Sequence, residues 1–382
     1  MCGIICRTVA EERGAGGGAV NSVPMVPLAR RLLFRDRGGF LVTVAGVAAT
    51  VSLLLFLFAV HAGVKDGSTR YVRTAGVDVW IAQKGSDNIL KSSSFLPASL
   101  VAQVRQVAGV EAASPLLRVI TKGELRGRLT STLFLFGFDP ATRLGAPAGA
   151  PALRPGEIVL DEAFARKYGL HVGDALTIQR KAFRVAGLSE GTNTLVAQFG
   201  FVRFDDGAAI LGLKETASFI VVRTRDARAL RDAFPDLAVH AAADFVRHHE
   251  EEMENGVLPV FAAAAVFGAV VGGFIVALML YSSALERRED YATLKALGAG
   301  QRYLLRLVLG QSLLVTLAGC IAGALLTAAV TPLLLRIVPA LTLRYTPMLL
   351  LVVPAALLIG ALAATAPLRV LRRIYPGEVF RA

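Results

Sequence analysis

Four stretches of this chain run for about twenty residues or longer without a charged side chain: Phe40 to Val60, Leu258 to Tyr281, about Leu307 to Leu335, and about Met348 to Pro367. About twenty apolar residues in a helix are enough to cross the hydrocarbon core of a bilayer. Helices buried in soluble cores seldom extend so far without a charge. The pattern predicts four transmembrane α-helices, at 39–61, 258–281, 307–335 and 348–367. The first exceeds the roughly 7 to 15 apolar residues of a signal-peptide core, so it is expected to stay in the mature chain.

The same chain carries a formal net charge of +12 and a mean hydropathy of +0.57, a combination foreign to soluble basic proteins. The cations gather beside the apolar runs. Arg30, Arg31, Arg35 and Arg37 precede the first, Arg287, Arg288, Lys295, Arg302 and Arg306 separate the second from the third, and Arg369, Arg372, Arg373 and Arg381 follow the fourth. The 336–347 loop offers only Arg336 and Arg344. By the positive-inside rule both termini and the 282–306 loop are cytoplasmic, and 62–257 and 336–347 lie outside. The expectation is a multi-pass protein of the cell (inner) membrane. Its basic excess sits beside anionic headgroups, so membrane lipid is an expected partner and nucleic acid is not.

Residues 62–257 alternate strand-like and helix-like stretches. Val77 to Gln83, Leu116 to Ile120 and Thr130 to Phe138 have strand character, and Pro97 to Ala108 has helical spacing. A Gly/Pro/Ala linker at Gly145 to Pro155 leads to a strand, a helix stopped by Gly169, and a hairpin over Ala175 to Leu188. The fold class predicted is an α+β extracytoplasmic domain with a small β-rich lobe at about 150–200. Asp244 to Asn255 contains no turn residue and predicts a stalk helix, 244–257, leading into the second span. Its adjacent His248 and His249 diverge by about 100° on a helix and lack a partner His at i+4, so a solvated face is expected there and no metal. Cys2, Cys6 and Cys320 all lie outside this segment, which therefore needs no disulfide.

No catalytic constellation emerges, and the chain is not expected to be an enzyme. Cys2-Gly3-Ile4 resembles the start of class II glutamine amidotransferases, but a glycine-rich stretch and a membrane helix follow where those enzymes need a soluble domain. Residues 1–38 read as a cytoplasmic leader, with Met25 as an alternative start. There is no Gly-x-Ser-x-Gly elbow and no Gly-x-x-x-x-Gly-Lys-Ser/Thr phosphate loop. The four apolar runs, Phe40 to Val60 among them, contain no ionisable Asp, Glu, Lys, Arg or His, which proton- or ion-coupled transporters need at membrane depth. They carry Gly268 with Gly272 and Gly319 with Gly323 instead, Gly-x-x-x-Gly pairs that let helices approach closely.

The most specific segment is Glu286 to Ala299, in which Tyr291, Leu294 and Leu297 recur every three residues beside Ala292 and Ala296, before Gly298 and Gly300 stop the helix. This stretch resembles the coupling helix of MacB/FtsX-type ABC transporter permeases, with Asp290 and Tyr291 in place of the usual Glu and Ile. Glu157 to Leu160, Lys167 to Leu170 and Val172 to Asp174 are similar to that family's outer β-lobe, and the tail from Arg372 to Arg381 is similar to its basic ending. The resemblance implies a permease subunit that binds no cofactor itself, with ATP and Mg on a separate cytoplasmic ABC ATPase subunit. It places Glu286, Arg287, Asp290, Tyr291, Leu294, Lys295, Leu297 and Gly298 at the ATPase contact. A second permease copy in a homodimer and a periplasmic adaptor are the other implied partners. The cargo expected is a lipophilic, lipoprotein, peptide or drug substrate. The alternative is a non-transporting mechanotransmission subunit that regulates an outer enzyme such as a cell-wall hydrolase.

Overall fold

The computed structural model describes residues 37–363, apart from 91–93, 194–196, 213–214, 257, 287, 297–298 and 340. The chain divides into two compact units. The helical unit takes Met1–Ala59, Ala263–Pro332 and Thr346–Ala382, and the sheet unit takes Val60–Ala262 and Leu333–Tyr345.

The sheet unit begins with the end of helix α1 (Arg37–Thr74), followed by β1 (Val79–Gln83), β2 (Leu96–Pro97), α2 (Leu100–Val104), β3 (Val110–Leu125) and β4 (Arg128–Phe138). Then come β5 (Glu157–Asp161), α3 (Glu162–Tyr168), β6 (Ala175–Ile178), β7 (Lys181–Ser189), β8 (Gln198–Arg203) and α4 (Phe204–Leu211). The run ends with β9 (Thr216–Ala217), β10 (Phe219–Thr224), α5 (Ala227–Ala233), β11 (Leu237–Ala241) and α6 (Ala242–Asn255). Nine strands make one sheet in the order β11-β1-β10-β3-β4-β8-β5-β7-β6, and β2 pairs with β9 beside it.

The 16-residue β3 organises this sheet. Its first half pairs with β10 and its second half with β4, and it meets β6 at Gly123 and Glu124. Strands β3, β4, β8, β5, β7 and β6 therefore close into a ring, completed by the two-residue β3–β6 pairing. The β-rich lobe expected as an insertion at about 150–200 is thus continuous with the main sheet, since β8 runs parallel to β4 and β3 supplies the closing strand. Alternation marks each strand locally, but the partner of Gly123 lies at Ile178, far along the chain.

Side chains of β4 divide between two cores because successive residues face opposite sides of a strand. Leu133 and Leu135 fill the ring with Ile158, Leu160, Phe183 and Val185. Phe136 and Phe138 turn the other way, to a cluster with Tyr71, Trp80, Phe199, Phe201 and Phe245. Fully burying one such side chain is worth about 1.5–3 kcal/mol. On the opposite face of β1 and β10, Val79, Ile81, Ile220 and Val222 pack with Val104 of α2 and Leu230 of α5.

Helix α1 continues to Thr74, beyond the boundary expected at residue 61. No proline interrupts 62–74, and Asp66 accepts a hydrogen bond from Arg70 one turn on. The end of the helix is then captured by the aromatic core: Tyr71 is 1% exposed, its ring lies 4.9 Å from that of Phe136, and its Oη donates to the Gly145 carbonyl at 2.7 Å. Burial raises the Tyr71 pKa, so the phenol keeps the proton that makes this bond.

The helical unit comprises the first part of α1, α7 (Leu258–Glu286, whose first turn lies in the sheet unit), α8 (Arg288–Ala296), most of α9 (Gln301–Ile337), a 3-10 turn (Pro347–Leu351) and α10 (Val352–Ala363). Among the described residues, three helices are long and apolar enough to cross a membrane: Arg37–Thr74, Leu258–Ser283 and Gln301–Ile337. The fourth predicted span, 348–367, is represented by the 3-10 turn and the 12-residue α10, and its remainder lies outside the described residues. Pro354 falls in the first turn of α10, where its missing N–H breaks no helical hydrogen bond.

Close approach explains the glycines of α9. A Cβ added at Gly323 would sit 2.8 Å from the Ala48 carbonyl oxygen and 3.0 Å from Val51 Cβ, and one at Gly319 would sit 2.4 Å from Val47 Cγ1. On α7, a Cβ at Gly272 would meet Thr50 Cγ2 at 2.2 Å, whereas at Gly268 it would make an ordinary 3.4 Å contact with Leu57.

Candidate functional site

Helix α8 joins two long apolar helices, and its amphipathic pattern decides which side faces inward. Tyr291, Ala292 and Leu294 are buried, at 2–3% exposure. Tyr291 Oη donates to Gln311 Oε1 of α9 at 2.6 Å, a bond 20 residues long in sequence. The Ala299 amide closes the end of the helix on the Leu294 carbonyl at 3.0 Å. Glu286 and Glu289 are exposed, with Asp290, Thr293 and Lys295 half-buried. Three acids thus crowd the start of α8, where the positive end of the helix dipole favours them. Arg287, Leu297 and Gly298 lie outside the described residues.

Of the residues expected at a partner contact, the structure therefore turns Tyr291 and Leu294 into the protein and leaves Glu286 outward. Sequence spacing marks the apolar stripe as a stripe, but a stripe can face a partner or the chain's own helices. Gln311, a strongly polar side chain in the third predicted span, is what Tyr291 bonds to.

A second constellation lies within the sheet unit, where the end of α1, helix α6 and the 341–345 stretch meet. Lys65 Nζ is 2.6 Å from Glu254 Oε1, and Arg73 Nη2 is 2.6 Å from Glu250 Oε1. Asp66, 14% exposed, accepts from Arg70 at 3.0 Å and from Arg344, with Arg73 at 4.0 Å. Gly63 permits the same approach, because a Cβ there would lie 2.0 Å from the Thr342 carbonyl oxygen. The hydrogen bond and charge of Lys65 hold the Glu254 carboxyl below its usual pKa. Exposed ion pairs contribute only about 0–1 kcal/mol, so the half-sequestered Asp66 matters here mainly for where it fixes the backbone.

Helix α6 corrects one expectation. The 244–255 segment is helical, but it is not solvated all round: Phe245, His249 and Met253, spaced by four, are buried. His249 is 1% exposed; its Nε2 accepts from the Ile89 amide at 2.9 Å, and its Nδ1 lies 2.8 Å from the Phe245 carbonyl. An Nδ1–H donor with an Nε2 acceptor is the neutral ring, and burial pushes the pKa down to about 4. The legible signal for this buried face is the four-residue spacing of Phe245, His249 and Met253, not the adjacency of the two histidines. No group of three or more His, Cys, Asp or Glu suited to a metal ion occurs among the described residues.

Residues 40–237 match the family described as the MacB-like periplasmic core domain, and residues 262–376 match the FtsX-like permease C-terminal region. An uncharacterized ABC transporter permease of Mycobacterium tuberculosis is 25% identical over 346 residues, covering 89% of this chain and 94% of the relative. A second, from Mycobacterium bovis, is 25% identical over 349 residues with the same coverage. Among solved structures, the periplasmic region of MacB from Actinobacillus actinomycetemcomitans aligns over 46% of this chain and 94% of its own, at 12% identity and a TM-score of 0.35.

Proposed function

The chain belongs to the ABC transporter permease family that joins a MacB-like periplasmic core domain to an FtsX-like permease region, and on that premise we propose that it couples a separate cytoplasmic ATPase to movement of the sheet unit. The ATP and Mg stay on that partner. Two copies of this chain engage two ATPase subunits, with both termini and α8 on the cytoplasmic side and the sheet unit outside. The cargo class is a lipophilic, lipoprotein, peptide or drug substrate handled at the outer face, with a periplasmic adaptor as a further partner.

The observation that carries the reading is the orientation of α8. Its apolar side is spent on the chain's own helices through Tyr291 and Leu294, which makes it a rigid lever, while Glu286 and Glu289 remain available to a basic groove on the ATPase. Two outward acids steer a cationic partner and suppress wrong ones. The charge reversals Glu286→Lys and Glu289→Lys together are expected to abolish recovery of the ATPase with the purified chain, at unchanged membrane levels of the chain itself. Undiminished ATPase recovery from the double variant would overturn the assignment.

The Asp66 constellation supports the transmitting half of this reading, since it ties together three segments of the sheet unit that continue into long apolar helices. Asp66→Asn keeps the shape and removes the charge. Spin labels at Glu251→Cys and Tyr345→Cys are expected to give a narrow distance distribution in the parent and a distribution at least twice as broad in the Asp66→Asn variant. Equal widths would show that the loop is held without Asp66.

A further inference from the structure

A cleft of about 420 Å3 in the sheet unit carries chemistry that neither coupling constellation uses. Small-molecule sites range over roughly 300–1,000 Å3. Alternate residues of β3 supply Ile120, Lys122 and Glu124, β4 supplies Leu129 and Thr132, and the β6–β7 turn supplies Arg180. Ile120 is 53% exposed and Leu129 70% exposed, although the ring interior directly beneath them is tightly filled.

Two departures from regular geometry aim the polar side chains here. The β3–β4 register shifts between Lys122 and Glu124, around Gly123, and such bulges redirect the neighbouring side chains. In the two-residue β6–β7 turn, Gln179 has φ 45° and Arg180 φ 68°. Turns of this hand ordinarily use Asn-Gly, because a Cβ is crowded at positive φ. The fold carries that strain and thereby places a guanidinium at the rim. At the β3–β4 turn Arg126 also has a positive φ, 51°. Lys122 and Arg180 line the cleft with one carboxylate, Glu124, and Arg126 and Arg128 lie in or beside the adjoining β3–β4 turn. None of the four cations makes an ion pair among the described residues, so this end of the ring carries a net positive charge beside an apolar floor.

We propose that this cleft binds an anionic amphiphile, its head between Lys122 and Arg180 and its apolar chain over Ile120 and Leu129. The pairing follows from the lining: cations alone would suit any small anion, and exposed aliphatics alone any apolar surface, but the two together select a molecule that is both. An extended peptide is disfavoured because β4 and β6 already flank β3 at Gly123 and Glu124, leaving no free strand edge for it there. This inference deepens the substrate class of the permease reading but stands without the ATPase contact.

The test uses the full chain in phosphatidylcholine nanodiscs, titrated calorimetrically with octyl phosphate below its micellar concentration and corrected by empty discs. Saturable binding is expected, at least tenfold weaker for octyl glucoside and for inorganic phosphate. Lys122→Gln with Arg180→Asn, the asparagine tolerating the left-handed backbone, is expected to weaken octyl phosphate at least tenfold. Ile120→Ser with Leu129→Ser should do likewise, and all four positions are at the surface, so folding is retained. Equal affinity for inorganic phosphate would reduce the cleft to an anion patch and overturn the proposal. Unchanged affinity in both double variants, or tighter binding of an acidic hexapeptide than of octyl phosphate, would overturn it as well. The ATPase recovery experiment is unaffected by either result, so the two readings fail separately.

Discussion

Gly323→Leu is expected to leave little correctly folded protein in the membrane, whereas Gly310→Leu on the same helix is expected to be tolerated. At Gly323 the first added carbon meets the Ala48 carbonyl oxygen at 2.8 Å, a backbone atom that cannot rotate away, and Val51 behind it. At Gly310 nothing lies within 4 Å of the added Cβ. Helices in lipid associate through close packing rather than through exclusion of water, so a separation forced at such a crossing removes the contacts that hold it. Overpacking a tight site ordinarily costs about 1–3 kcal/mol, and a clash with backbone belongs at or above the upper end. The fraction of a fluorescent fusion that remains monodisperse after heating in mild detergent measures the difference. Equal survival of the two variants would refute the close approach of α1 and α9.

Acidification is expected to destabilise the sheet unit through His249. In the fold its ring is neutral with a pKa of about 4, against 6.5 for the unfolded side chain. Because the folded value is the lower one, the unfolded state takes up the proton first, and stability falls as pH drops through 6.5 towards 4. Proton linkage between those two values makes the loss about 2 kcal/mol at pH 5 and about 3 kcal/mol at pH 4. The structural reason is that a second ring proton would face the Ile89 amide, which already donates to that nitrogen. His240, also held below its usual pKa by burial and by neighbouring His248, acts in the same direction. Thermal unfolding of the full chain at pH 7.5 and pH 5 reads the effect, and His249→Gln should flatten the dependence. A parent protein equally stable at both pH values would count against the buried neutral ring.

What was legible in the sequence was local. The uncharged runs announced the three long apolar helices, the alternation in Thr130 to Phe138 announced β4, and Gly169 announced the end of α3, where it takes the left-handed C-cap with φ 63°. The amphipathic spacing around Tyr291 announced α8. Each of these signals resides in contiguous residues, where side-chain period and capping chemistry act over one or two turns.

The sequence by itself therefore determined that the chain enters a membrane, that a sheet-rich body lies between its first two apolar helices, and that a short polar-faced helix links the second and third. Tertiary structure alone decided that β3 closes a ring, that Tyr291 turns inward to Gln311, that His249 is sealed beneath Ile89, and that Asp66 holds Arg344 across 278 residues. Those partners are chosen by which faces the assembled cores bring together. No period within a segment encodes a neighbour that far along the chain.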